Sequence, residues 1–278
     1  MLTKKGRLGF PGLLILMVGE FRRTRMIKRR IQYQGTFFAI FMILFSGVFT
    51  LSSADSRVKK VHLFILSGQS NMVFLNPNRS FTPSVTKAFS GDEIIVVKSA
   101  LAHQPISRWY KKRKLSKGEE GKNICNLYDR LMTKVKVAIN GKTPSTITFV
   151  WMQGEADAQE KSGDVYAANL KGLIGQLRED LTRKDINFVV GRLSDFGNDN
   201  KICPHWTLVR QAQVEVAESD PRGAWVDTDG LNIPNDVHYT EEGYTILGER
   251  FAAKSIDLIK KNNIANKKPN KTDPGDGK

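Results

Sequence analysis

The chain has 278 residues, 40% hydrophobic and 26% charged, which is ordinary for a globular protein. A net charge of +15 invites a nucleic-acid reading, but its distribution argues against one: nine Lys or Arg stand against the single Glu20 in residues 1–54, leaving 34 basic and 27 acidic residues for the rest. The remaining basic run, Lys111-Lys112-Arg113-Lys114, reads as a solvated loop, because four clustered charges make only a weak polyanion site.

The first feature along the chain is the uncharged, apolar run Thr36 to Leu51. Lys28-Arg29-Arg30 precede it and Ser52-Ser53-Ala54 follow it, giving the basic, apolar and small-residue regions of a secretory signal. The run is short of the about 20 residues a spanning helix needs. A cleaved signal is expected, with a mature start near Asp55; an uncleaved membrane anchor is the alternative. Met26 would open a signal of standard length. The expected location is secreted or periplasmic, with membrane contact only through that segment. The organisation read from this is an extension and signal over 1–54, one domain over 55–262, and a polar, disordered tail over 263–278.

Val61–Gly68, Glu93–Val97, Thr146–Met152 and Ile186–Val190 read as buried strands, and Ala224–Val226 as a weaker fifth. Their apolar residues are continuous rather than alternating, which predicts a sheet covered on both faces. Between Val165 and Thr182, residues Tyr166, Leu170, Leu173, Ile174, Leu177 and Leu181 form one helical stripe. A last helix is predicted from Thr240, with Thr240 as its cap, Glu241 and Glu242 at its positive end, and Tyr244, Leu247, Phe251 and Leu258 facing inward. The alternation predicts a three-layer α/β/α sandwich with a mainly parallel five-stranded sheet.

Sites in such sheets form at the carboxyl ends of strands. Gly68-Gln69-Ser70-Asn71-Met72 follows the first strand, where a Ser hydroxyl sits at the sheet edge and its own N–H points from a helix start toward a developing oxyanion; a plain helix cap fits the same residues. Trp151-Met152-Gln153-Gly154-Glu155-Ala156-Asp157 ends the third strand, where Gln153 can donate to an oxyanion or the acids can simply cap the next helix. Asp236-Val237-His238 precedes the last helix; an Asp bonded to the His Nδ1–H fixes the tautomer and frees Nε2 to take the Ser proton. Of the four histidines, His103 and His238 are placed for catalysis.

Together these segments resemble the sialate O-acetylesterase-like family of SGNH hydrolases, also described as carbohydrate esterase family six. Gly68 to Asn71 match its GQSN block, and Trp151 to Asp157 its W-H-Q-G-E-x-D block, with Met152 in place of the His. Asp236, His238 and Gly248-Glu249-Arg250 match its final block, and Trp206 with Val209 to Gln213 the helix before the last strand. The resemblance spans Val61 to Ala253. One block departs: Ala102 and His103 stand where the family has two glycines, so the backbone N–H there is presented with φ below zero or at some strain.

The resemblance implies a flavodoxin-like SGNH-hydrolase fold and a serine esterase that removes O-acetyl groups from a carbohydrate through an acetyl-enzyme. Ser70 is the expected nucleophile, His238 its base and Asp236 the orienting acid, although the more widespread spacing would put that acid at Asn235. Gln69, Asn71, His103, Gln153, Gly154 and Glu155 are expected around the oxyanion and substrate, with Glu155 as the competing triad acid. No metal, organic cofactor or nucleic acid is implied; the partner is an acetylated carbohydrate. The competing readings are an inactive, glycan-binding descendant and an esterase for lipids. A Cys125–Cys203 disulfide is expected, two free thiols being the alternative.

Overall fold

The computed structural model describes residues 58–116 and 125–265. The expected signal segment, the mature start near Asp55 and the polar tail beyond Ala265 lie outside the described residues. Among the described residues, five strands form one sheet: β1 (Val61–Gly68), β2 (Glu93–Ala100), β3 (Thr146–Met152), β4 (Asn187–Gly191) and β5 (Gly223–Val226), in the order β2-β1-β3-β4-β5. Every pairing is parallel, so the sheet is wholly rather than mainly parallel. This is the flavodoxin-like strand order, whose direction of winding reverses between β1 and β3 and opens a crevice at their carboxyl ends.

Among the described residues, seven helices cover the sheet: α1 (Ser70–Phe74), α2 (Phe81–Ala88), α3 (Asn126–Ile139), α4 (Glu155–Gln159), α5 (Gly163–Asp180), α6 (Trp206–Glu218) and α7 (Glu241–Ala265). Right-handed crossovers put α1, α2 and α7 on one face and α3 to α6 on the other; α2 accordingly packs on α7, and α5 on α6. The centre of β1, Leu63 to Leu66, is sealed from solvent on both faces, as its unbroken apolar run requires. Tyr166, Leu170, Leu173, Ile174 and Leu177 of α5, and Leu247, Phe251 and Leu258 of α7, are the buried stripes. Thr240 does cap α7, its Oγ1 accepting the Gly243 N–H at 2.9 Å.

Several boundaries differ from the sequence reading, three of them with a visible cause. β2 runs on to Ala100, because Ser99 is buried and its carbonyl accepts the Ser67 hydroxyl at 2.7 Å. α5 starts at Gly163, whose N–H is taken by His205 Nδ1 at 3.1 Å. α7 continues past Asn262, whose amide ties it to Asn187 Oδ1 at 2.7 Å.

Candidate active site

Gly68, Ala100 and Met152 stand level across β1, β2 and β3, so the three sequence blocks leave the sheet at one height. Gly68 has φ +146°, and a Cβ there would lie 1.9 Å from the Met152 carbonyl oxygen, so only glycine fits. Gln69 N–H donates to that same oxygen at 2.9 Å, locking the end of β1 to the end of β3. Met72 and Val73 close the first turn of α1 on the Gln69 carbonyl, both at 2.9 Å, and Ser70 opens the helix ahead of them. The N–H groups at a helix start have no partner inside the helix, and Ser70 carries one of them.

Ser70 lines a cleft of about 240 Å³ together with Gln69, His103, Glu155, Asp236 and His238. The cleft thus gathers residues from all three blocks and from the loop before α7. In that loop the His238 Nδ1 lies 2.9 Å from Asp236 Oδ1, which also accepts the His238 N–H at 2.9 Å. These bonds, the backbone one first, hold the Asp236 carboxyl below its ordinary range. Asn232 braces the loop through its amide on the Asp236 carbonyl at 2.9 Å, and Ile233 N–H donates to the His238 carbonyl at 2.9 Å. Asn235, at the spacing more common for a triad acid, occupies a left-handed turn position with φ 61°.

Asn71 connects this loop to the rest of the site. Its Nδ2 donates to Glu155 Oε1 at 2.8 Å and to the Val237 carbonyl at 3.2 Å, and its Oδ1 accepts the Tyr244 hydroxyl at 2.9 Å. Tyr244 OH accepts in turn from the Tyr239 N–H at 3.3 Å. The sequence places Tyr244 on the inner stripe of α7 but gives no sign of this link, which depends on α7 packing beside α1. Glu155 is 7% exposed, and its Oε2 has no hydrogen-bond partner among the described residues. Burial pushes its carboxyl up, against the N–H groups of its own backbone and Asn71 and the nearby His238.

Gln153 is not where the sequence suggests. It is fully buried, and its amide nitrogen lies 3.2 Å from Gln69 Oε1, 3.1 Å from the Gln104 carbonyl and 2.5 Å from Asp157 Oδ2. Both of its N–H donors are therefore engaged behind the cleft. Asp157 also accepts the Ile106 N–H at 2.9 Å, so it staples the loop after β2 to the end of β3; burial pushes its carboxyl up to about 7. Gln69 Oε1 faces the same cluster, accepting from Gln153, Gly154 and Ala156, which leaves the Gln69 amide nitrogen as the side-chain donor on the cleft wall. Gly154 has φ +154° and no room for a Cβ, which would sit 2.8 Å from Val209 Cγ1; it is a packing position. His103 is exposed at the cleft with φ 55°, the left-handed conformation a glycine would take.

His62 and His205 stand apart from this cleft: His62 is buried against Thr146 and Asp92 at the start of β1, and His205 binds Gly163. The expected disulfide does not form, because Cys125 precedes α3 whereas Cys203 is buried in the cleft wall, and both are free thiols. Burial pushes both thiols up, Cys125 to about 11. Among the described residues, no three His, Cys, Asp or Glu side chains come together as a metal-binding group.

The sequence model described as "Carbohydrate esterase, sialic acid-specific acetylesterase" matches residues 74–257. The chain belongs to this family. The match begins at Phe74, so the Ser70 block lies just ahead of it. Among solved structures, a protein from Arabidopsis thaliana is similar at 19% identity and TM-score 0.56, over 70% of this chain and 98% of that one. A carbohydrate acetylesterase from Xanthomonas citri is similar at 18% identity and TM-score 0.54, over 72% of this chain and 56% of that one. NanS is similar at 12% identity and TM-score 0.54, over 73% of this chain and 98% of that one. At these identities the likeness shows a shared α/β/α fold. Among curated proteins, none matches the chain.

Proposed function

We propose that this member of the acetylesterase family is a serine esterase that removes O-acetyl groups from a carbohydrate through an acetyl-enzyme. The observation that carries the reading is His238 Nδ1 held by Asp236 at 2.9 Å in the same cleft as Ser70. With Nδ1–H given to Asp236, Nε2 is the free base. Nε2 takes the Ser70 proton as Oγ attacks the acetyl carbonyl carbon. The oxyanion is received by the Ser70 N–H, the backbone at Ala102–His103 and the Gln69 amide, which takes the place expected of Gln153. Collapse breaks the ester bond, and His238 returns its proton to the departing sugar hydroxyl. Water, deprotonated by His238, then releases acetate from Ser70.

The inactive glycan-binding reading rests on Ala102 and His103 standing in the family's glycine positions. The φ of 55° at His103 argues against it, since the backbone keeps a glycine-like shape despite the side chain. Turnover of p-nitrophenyl acetate separates the two, and acetate release from a panel of acetylated glycans tests the carbohydrate reading. A lipid esterase would instead prefer long acyl chains. The same proposal treats residues 1–54 as an export segment; N-terminal sequencing of the exported protein should find a start near Asp55, whereas an intact segment in the membrane fraction would indicate an anchor.

A further inference from the structure

The geometry points to a second sugar subsite adjoining the catalytic cleft at His238, lined by Phe74, Asn76, Arg79, Glu241 and Tyr244, which holds a neutral pyranose next to the acetylated residue. This inference rests on the carbohydrate esterase reading above.

The cleft around Ser70 measures about 240 Å³, below the roughly 300–1,000 Å³ of ordinary small-molecule sites. It has room for an acetyl ester but little for the sugars beyond it. A separate cavity of about 420 Å³ lies between the end of α1 and the start of α7. Phe74 joins the two. It ends the helix that Ser70 begins, and its ring meets His238 edge-on at 5.2 Å and Tyr244 at 6.0 Å. It is nevertheless 55% exposed, an aromatic surface beside the proposed catalytic base with nothing of the core against much of it.

The polar groups around Phe74 suit hydroxyls. Arg79 Nη1 and Nη2 both reach one oxygen of Glu241, at 3.3 and 3.2 Å, leaving Glu241 Oε1 as an acceptor. Both side chains are exposed, so this pair contributes little to stability and its geometry is free to serve a ligand. Asn76 Oδ1 is occupied by the Asn78 N–H at 3.0 Å, which leaves the Asn76 amide nitrogen as a further donor. A matched cation and anion carry no net charge, and together they donate to and accept from neighbouring hydroxyls. An exposed aromatic face supplies the apolar complement for a ring's C–H side. That combination fits a neutral sugar ring rather than an acyl chain or an anionic group.

The test compares acetate release from pairs of substrates sharing the acetylated residue: O-acetyl xylose with acetylated xylotriose, and O-acetyl sialic acid with its sialyllactose conjugate. Each variant's turnover of p-nitrophenyl acetate normalises its rates. For whichever pair is deacetylated, the oligosaccharide should win by about tenfold in kcat/KM, mainly through KM, as one ring contact and a pair of hydrogen bonds allow. Arg79→Ala and Phe74→Ala should each bring that ratio close to one. Arg79 is on the surface, so its variant reports even if Phe74→Ala disturbs folding. Sugar turnover without length preference, or a preference that survives Arg79→Ala, overturns the subsite alone. Hydrolysis of p-nitrophenyl acetate with no release from any sugar overturns the carbohydrate reading and the subsite with it.

Discussion

His238 takes its orientation from within its own loop, because Asp236 binds both its ring and its backbone N–H. Glu155 is committed to Asn71 instead. Losing an orienting acid leaves nucleophile and oxyanion donors in place but admits the wrong tautomer, at a cost on the order of 10⁴ in turnover in the well-studied triad. Asp236→Asn should therefore lower kcat far more than Glu155→Gln, with unchanged circular dichroism; the reverse ranking would transfer the triad role to Glu155. Asp157 makes a different prediction. Its folded carboxyl titrates near 7, above the about 3.9 of an unfolded Asp, so the folded state binds the extra proton. Stability from this group is full below pH 4 and falls as pH rises toward 7. Melting temperatures of the native chain should drop more across that window than those of Asp157→Asn; parallel curves would show that Asp157 is ionised throughout. The burial of Gln153 was not legible in the sequence, since its partners Gln69 and Gln104 arrive only through tertiary folding.

At the scale of elements, the site depends on strand ends meeting at one level. Gly68 sets this contact: a methyl group there would overlap the Met152 carbonyl, on backbone that cannot give way without shifting β3. Gly68→Ala should destabilise by at least about 3 kcal/mol in urea unfolding, among the larger single-residue effects; a loss under 1 kcal/mol would mean that β1 and β3 are not held so closely. The strand cores were legible as continuous apolar runs, because a parallel sheet buries both faces. The end of β2 was not. Lys98 looks like a polar strand exit, yet its ammonium binds the Val73 and Leu75 carbonyls at 2.8 and 2.7 Å, tethering the end of the helix that carries Ser70. Burial, with Lys134 nearby, pulls the Lys98 ammonium down from its ordinary range. The reach of α7 beyond Asn262 was hidden for a similar reason: a polar stretch reads as tail until Asn187 is seen to receive it.

At the scale of the molecule, a 2-1-3-4-5 sheet places its crevice between β1 and β3, and the Ser70 and Glu155 segments leave those two strands there. The loop before α7 brings His238 to the same crevice, held by Asn71 and Tyr244 across the α1–α7 junction. Order along the chain thus becomes proximity at one sheet edge, which is why three short motifs pointed to one site although each alone also fitted a cap or a loop. The proposed chemistry turns on Ser70 carrying the acyl group. Quenching the protein in acid during p-nitrophenyl acetate turnover, and locating the acetyl group by peptide mass spectrometry, reads this out. Acetyl on Ser70 and no turnover by Ser70→Ala are expected; acetyl found on another residue, or turnover surviving in Ser70→Ala, would overturn the assignment.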